Sequence, residues 1–415
     1  MNDSRRLYLN PSTGEMRFDG PYPHCDDIPS SIEWPGEDQR EKKPLGFKNL
    51  TLVLTQRCNL ACDYCWQQHG AGKDMDQATI ESWLDFFLDE DANSPQKVMY
   101  YGGEPLLRMD LIGHAARIIS EVCDRRGIDR PSQQLFTNGT LLSRDCVDAL
   151  ASAGVFPIIS VDGSPRVDRT HRHDAAGHSE HATIMDGMRR LRDRGVSFGV
   201  CCTLSDMCFD VAETVEYLLD EVRPASFELN IRHDRTFLDV AATYEGQRLN
   251  RLEEAWDVIA SRGVRSVDLR KRVLPFVNRV PLQNSSSGSK NKLAVMPNGN
   301  VSPFNGAVAR PELQVSPDGE WISEFRKRWS RDVLTSERCK VCPAAFICGQ
   351  GSAFSSYLQY GDFGHIPALH CEQSRTALSY IEKRIEEKLL SDGVPEQHVV
   401  TSGDVRRTFP ALFDG

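Results

Sequence analysis

The chain has 415 residues, with 49 Lys and Arg against 59 Asp and Glu and a formal charge of −10. That length accommodates a barrel of about 200 residues plus a smaller domain, and charges of both signs interspersed leave no basic stripe, which argues against nucleic acid as a partner. No apolar run approaches the roughly 20 residues needed to cross a bilayer, and thirteen cysteines without a secretory signal point to a reducing cytoplasm and to metal chemistry rather than disulfides.

Residues 1–45 hold two short alternating runs between Arg6 and Phe18 around an Asn-Pro-Ser-Thr-Gly turn, which predicts a hairpin arm. From 46 to 235, strand-like and helix-like segments alternate. Thr51–Thr55 is an apolar strand leading into RCNLACDYCW, where Cys58, Cys62 and Cys65 are spaced CxxxCxxC. Asp74 and Asp76 precede Ile80, Trp83, Leu84, Phe87 and Leu88, whose helical spacing makes them the core stripe of a helix rather than a cofactor box. Val98–Tyr101 is the next strand. It ends in Gly102, Gly103, Glu104 and Pro105, where two glycines permit a close backbone approach and the proline stiffens the exit. Leu111, Ala115, Ile118, Ile119 and Val122 mark a second helix. Gln134–Thr137 runs into Thr137-Asn138-Gly139-Thr140, Ser143 caps a helix through Leu150, and Phe156–Val161 carries the SVDG stretch Ser160 to Gly163, with His171 and Arg172 downstream. Ile184, Met188 and Leu191 mark another helix before the strands Phe198–Thr203 and Phe227–Asn230. Six strands alternating with helices predict an α/β fold with a parallel sheet.

Residues 236–292 form a helical connector that ends in the small, polar linker Asn284–Asn291. The segment 293–390 contains the turn Met296–Phe304, the cysteines Cys339, Cys342 and Cys348 spaced CxxCxxxxxC, and then Cys371. Leu378, Ile381, Ile385 and Leu389 form one face of a closing helix. The tail 391–415 is expected to be mobile over its last twenty or so residues.

Three thiolates on one tight loop can hold three irons of a four-iron cluster and leave the fourth open to an outside ligand. Zinc accepts similar spacings. The CxxxCxxC loop, with Tyr64 before its third cysteine and with GGEP, TNGT and SVDG following in order, resembles the radical SAM superfamily. The resemblance implies a partial (β/α)6 TIM-type barrel, a 4Fe-4S cluster on Cys58, Cys62 and Cys65, and chelation of the open iron by S-adenosylmethionine. Reductive cleavage would then give a 5′-deoxyadenosyl radical that takes a hydrogen atom from substrate. It also implies that the turn of Gly102, Gly103 and Glu104 meets the methionyl ammonium, and that Thr137, Asn138, Ser160 and Asp162 lie near the ribose and carboxylate. Arg172 is either a partner for that carboxylate or an exposed structural arginine.

The downstream cysteines resemble the SPASM extension of peptide-modifying radical SAM enzymes, which in full form carries seven cysteines and two auxiliary clusters. Here Phe304 and Ser352 stand where two cysteines of the first auxiliary cluster are expected. The resemblance therefore implies a SPASM/twitch-like domain with one auxiliary 4Fe-4S cluster, fully ligated by Cys339, Cys342, Cys348 and Cys371; a structural zinc is the alternative for this quartet. Among the other thiols, Cys123 and Cys146 are expected as core residues, Cys25 and Cys208 have no ligand-like spacing, and one of Cys201 and Cys202 is placed to face a substrate cavity. His69, Glu228 and Asn230 are further candidate substrate contacts.

By resemblance the reaction is maturation of a ribosomally made precursor peptide by an oxidative crosslink, with electrons from a flavodoxin or ferredoxin and no membrane partner. Formylglycine formation as in sulfatase maturases is an alternative, although Asn305 follows Phe304 where that family has a catalytic aspartate. Dehydrogenation of an aminoglycoside-type small molecule is another. A non-catalytic zinc or iron-sulfur module fits poorly, because a scaffold needs no cofactor cradle.

Overall fold

The computed structural model describes residues 7–9, 16–18, 46–65, 67, 72–89, 96–204, 211–231, 251–280, 282, 291–329, 339, 342–349, 351–395 and 398–413. Two compact units divide the chain: residues 45–243 with 289–330, and residues 1–44 with 244–288 and 331–415. The sequence-assigned residues His69, Cys25 and Cys208, and the linker apart from Asn291, lie outside the described residues.

In the second unit the chain begins with β1 (Leu7–Leu9) and β2 (Met16–Phe18), paired antiparallel with Leu7 opposite Phe18. The barrel unit follows with β3 (Asn49–Thr55), α1 (Gln77–Asp89), β4 (Lys97–Gly102), α2 (Met109–Arg126), β5 (Ser132–Thr137), α3 (Arg144–Ser152), β6 (Val155–Ser160), α4 (Pro165–His171), α5 (His181–Asp193), β7 (Gly199–Leu204), α6 (Val211–Val222) and β8 (Ser226–Ile231). Strands β3 to β8 are neighbours in chain order and all parallel, the arrangement of a partial (β/α)6 barrel. In β3, Leu50, Leu52, Val53 and Leu54 are all fully buried, so both faces of this apolar strand are covered, as a parallel sheet between helices requires. Ile80, Trp83, Leu84, Phe87 and Leu88 of α1 are the buried stripe that their spacing predicts, and Asp76 caps the helix by accepting from Thr79 N at 2.7 Å. Ser143 caps α3 by accepting from Cys146 N at 3.2 Å.

The sheet continues past its first strand. β10 (Lys292–Val295) adds parallel to β3, with Lys292 opposite Asn49, and β11 (Val301–Ser302) pairs antiparallel to β10. The stretch 289–330, placed by sequence largely in the cysteine-bearing domain, thus packs with the barrel. Phe304 is 1% exposed and meets Trp329 edge-on at 5.8 Å, next to Phe325. An apolar core position occupies the place where the full cysteine pattern would put a thiolate.

The other unit contains α7 (Leu252–Ser261), the short β9 (Arg265–Ser266), α8 (Val267–Asn278), α10 (Ala345–Cys348), α11 (Ala353–Tyr360), α12 (Ala368–Ser391), β12 (His398–Val399) and α13 (Ser402–Thr408); α9 (Trp321–Arg328) belongs to the barrel unit. The expectation of a mobile tail is corrected here. β12 pairs with β2 across the sequence, His398 opposite Phe18, and α13 opens with a full capping box between Thr401 and Asp404. Long-range pairing, invisible in local composition, fixes this segment.

Candidate functional site

Cys58, Cys62 and Cys65 lie on the loop leaving the carboxyl end of β3, and neighbouring strand ends brace that loop from several sides. After β4, Gly103 N donates to Thr55 O at 2.9 Å and Glu104 N to Arg57 O at 2.8 Å. A Cβ on Gly103 would come within 2.2 Å of Arg57 O, and one on Gly102, whose φ is +149°, within 2.4 Å of Thr55 O. The close approach these glycines permit is therefore to the backbone entering the cysteine loop. After β5, Asn138 Nδ2 donates to Asn59 Oδ1 at 2.9 Å and reaches Cys58 Sγ at 3.9 Å, while Asn59 Nδ2 donates to Thr140 Oγ1 at 2.8 Å. Past α4, Ala61 N donates to His173 O at 2.7 Å and Asp63 N to His171 O at 3.2 Å. Gln67 Nε2 closes the loop's end onto Gly102 O at 2.9 Å.

Glu104 joins two of these strand ends. Fully buried, it accepts from Leu106 N at 2.9 Å, Thr137 Oγ1 at 2.8 Å and Asn138 N at 2.7 Å. Burial pushes its carboxyl up to about 7 against the pull of these donors. The third anchor is ionic. Asp162, fully buried at the end of β6, accepts from the Tyr64 hydroxyl, from Arg172 Nε and Nη2 at 3.3 Å each, and from Thr203 N at 3.0 Å; Arg172 also donates to the Tyr64 hydroxyl. Arg172 is 5% exposed, which decides between its two sequence readings against the exposed one. Behind it, Asp168 accepts from Asp162 N at 2.9 Å and lies 2.5 Å from His181 Nδ1, and His181 Nε2 lies 3.1 Å from the Tyr217 hydroxyl. Asn59, Asp168, His181 and Tyr217 were not singled out by sequence; only their positions close after strand ends or on the following helix hinted at them.

The thiols themselves carry the chemistry of a metal site. Burial pushes Cys58 up to about 11 and Cys62 up to about 12, and it raises Cys65 as well. Arg172 pulls Cys62 and Cys65 the other way, and the thiols of Cys58 and Cys62 each feel the charge of Cys65. Buried thiols of this kind become thiolates when a strongly positive centre sits among them, and the trio suits such a group. Among the described residues, no three His, Cys, Asp or Glu side chains are gathered around a single-ion position.

Ser160 ends β6 half-buried. Of the adjacent cysteine pair, Cys201 accepts from Asn230 Nδ2 at 2.9 Å, and Cys202 Sγ lies 3.6 Å from Asp162 O. Both are buried, and alternation along β7 puts them on opposite faces.

In the other unit, Cys342 N donates to Cys339 O at 3.1 Å, Ala345 N to Cys342 O at 3.0 Å, and Cys348 ends α10. His370 Nε2 lies 3.3 Å from Cys348 O, which brings the segment before Cys371 against α10. Gly351, with φ of +68°, permits this, since a Cβ there would come within 2.7 Å of the His370 ring. All four cysteines are half-buried. Ser352 caps α11 by accepting from Ser355 N at 3.2 Å, a helix-start role at a position where the full pattern has a ligand.

Comparison with known proteins agrees with this geometry. Residues 52–221 match the family described as Radical SAM superfamily. GTP 3',8-cyclase of Geobacter sulfurreducens is 31% identical over 218 residues, 47% of this chain and 63% of that protein. The serine-type anaerobic sulfatase-maturating enzyme of Klebsiella aerogenes is 26% identical over 163 residues, 38% of this chain and 40% of that protein. The chain thus spans only part of the length of these curated relatives. Among solved structures, native anSMEcpe with bound AdoMet and the Kp18Cys peptide is similar with a TM-score of 0.65 at 16% identity, covering 83% of this chain and 99% of that one, a likeness of fold. The parallel barrel, the braced CxxxCxxC loop and the match over residues 52–221 agree, and this part of the chain is a radical SAM domain.

Proposed function

We propose that this protein removes a hydrogen atom from a peptide substrate and completes an oxidative crosslink within it. When bound, a 4Fe-4S cluster with S-adenosylmethionine supplies a 5′-deoxyadenosyl radical. Cys58, Cys62 and Cys65 would hold the cluster by three corners, leaving one iron for the amino and carboxylate groups of the cofactor. The turns at Gly102–Glu104 and Thr137–Asn138 would border the methionyl and ribose groups, with Ser160 and Asp162 beside them. The observation that carries the reading is the brace: three strand ends and the Arg172–Asp162–Tyr64 cluster all hold one cysteine loop at the carboxyl end of the sheet, where barrel enzymes build their sites.

Forming a crosslink with loss of two hydrogens requires an electron acceptor. The quartet Cys339, Cys342, Cys348 and Cys371 would hold a fully ligated auxiliary cluster suited to that role, and a flavodoxin or ferredoxin would supply the first electron. A peptide fits the binding reading because a structure of similar fold holds one. Formylglycine formation is the second reading, favoured by the sulfatase-maturase relative. Against it, Asn305 follows Phe304, and a neutral amide is no proton acceptor.

The test is anaerobic reconstitution followed by coexpression with a candidate precursor peptide. About eight irons per chain are expected for two four-iron clusters, together with reductant-dependent 5′-deoxyadenosine and a peptide lighter by two hydrogens. The Cys58→Ala, Cys62→Ala, Cys65→Ala variant should make no 5′-deoxyadenosine; continued production would sink the radical reading. A peptide of unchanged mass would sink the crosslink.

A further inference from the structure

One buried cation in the cysteine-bearing unit lacks an evident counterion. Arg272 lies on α8 and is 8% exposed, yet its Nη1 donates only to a main-chain carbonyl, Asp268 O at 2.9 Å, and its buried Nε has no acceptor. Among the described residues no carboxylate lies within ion-pair distance of it. The nearby Asp268 carboxylate is already engaged, accepting from Trp256 Nε1 at 3.0 Å and Ser266 Oγ at 2.9 Å. Burial lowers the guanidinium's affinity for its proton, and the two groups that act against this are Asp268 and Cys348. Cys348 is brought near by packing of α8 on α10, where the rings of Phe276 and Phe346 lie 5.2 Å apart and Leu282 N donates to Phe346 O at 2.8 Å.

A buried guanidinium with no carboxylate paired to it is poorly compensated. Four thiolates around an iron-sulfur cluster form an anionic group whose sulfurs accept hydrogen bonds, and both net charge and such bonds set its potential. We propose that Arg272 is a positioning residue for an auxiliary cluster on Cys339, Cys342, Cys348 and Cys371: its charge and its orphaned Nε–H stabilise the more negative, reduced cluster and raise its reduction potential. This rests on reading the quartet as an iron-sulfur site. Nothing in the local sequence marks it, because a single arginine in an amphipathic helix looks like a solvated residue.

The experiment uses full-length protein carrying Cys58→Ala, Cys62→Ala and Cys65→Ala, reconstituted anaerobically so that only the quartet binds iron, and titrated potentiometrically with EPR detection. Arg272→Gln should keep its iron while its midpoint potential falls by at least a tenfold change in the one-electron equilibrium, about 59 mV. Arg272→Lys should stay nearer the parent. Retained iron with an unshifted potential in Arg272→Gln overturns the role of Arg272 and leaves the cluster standing. Zinc or no metal in the parent overturns the cluster reading and this inference together. A second readout covers loss of loading: chelated, metal-free Arg272→Met should melt above the metal-free parent, since it removes an uncompensated charge. A lower melting point would show that the arginine is ordinary packing.

Discussion

Gly103→Ala should undo the brace at its tightest point. The added Cβ would stand 2.2 Å from Arg57 O and 2.6 Å from Arg57 C, both main-chain atoms that cannot swing aside. Reaching the 3.4 Å of ordinary contact needs a separation of about 1.2 Å. The same movement stretches the 2.8 Å bond from Glu104 N to Arg57 O to about 4 Å, beyond hydrogen-bonding range. Overpacking costs about 1–3 kcal/mol and a stranded buried amide about 1–3 kcal/mol, against a gain of about 0.4–1 kcal/mol from a less flexible unfolded chain. A net loss of about 3 kcal/mol corresponds to a fall in melting temperature of roughly 6–12 °C for a unit of this size. Gly113→Ala is the matched control. Nothing lies within 4 Å of its Cβ position inside α2, so that variant should be more stable by about 1 kcal/mol. Thermal and denaturant unfolding of the metal-free proteins measure both. If Gly103→Ala melts within about 2 °C of the wild type, the turn does not press on the cysteine loop as described.

Two further substitutions probe the ionic anchors. Asp74 accepts from Thr55 Oγ1 at 2.6 Å, pairs with Arg57 at 2.5 Å and with Arg108 at 2.8 Å. Burial pushes its carboxyl up, but hydrogen bonds from Thr55, Arg57 and Arg108 outweigh this and hold it below the usual carboxylate range. Asp74→Asn should cost about 1–2 kcal/mol near neutrality. Because the folded value is the lower one, the wild-type advantage is complete above about pH 4, the unfolded value, and is lost as pH falls from there through the lower folded value; a gap that stays constant down to pH 2 would contradict the assignment. Arg172→Met leaves the fully buried Asp162 without its cation and should cost about 3–5 kcal/mol in urea unfolding. A loss below about 1 kcal/mol would mean that Tyr64 and Thr203 suffice for Asp162.

The parts of this fold that local sequence specifies were legible from it. Largely apolar runs marked the six barrel strands to within about two residues, because a strand covered by helices buries side chains on both faces; β5, with Ser132 exposed and Gln133 and Gln134 half-buried, was legible instead from the Thr-Asn-Gly turn that follows it. Helical spacing likewise exposed the stripe from Ile80 to Leu88. What stayed hidden depended on distant partners. Lys292 beside Asn49 and His398 beside Phe18 are pairings set by tertiary approach, and β10 and β12 are too short to show a period of their own. Arg172 and Arg272 look alike in sequence, and only folding buries both. The cysteine spacings singled out a trio and a quartet, whereas the side chains that brace the trio come from other strands and helices.

Four of the stitches on the cysteine loop join one peptide group to another: Gly103 to Thr55, Glu104 to Arg57, Ala61 to His173, Asp63 to His171. Bonds of this kind form with the fold and contain no metal, in contrast to zinc fingers, where metal and fold appear together. Any group held there would fill a mould cast by the polypeptide itself, and a chelator should leave that shape unchanged.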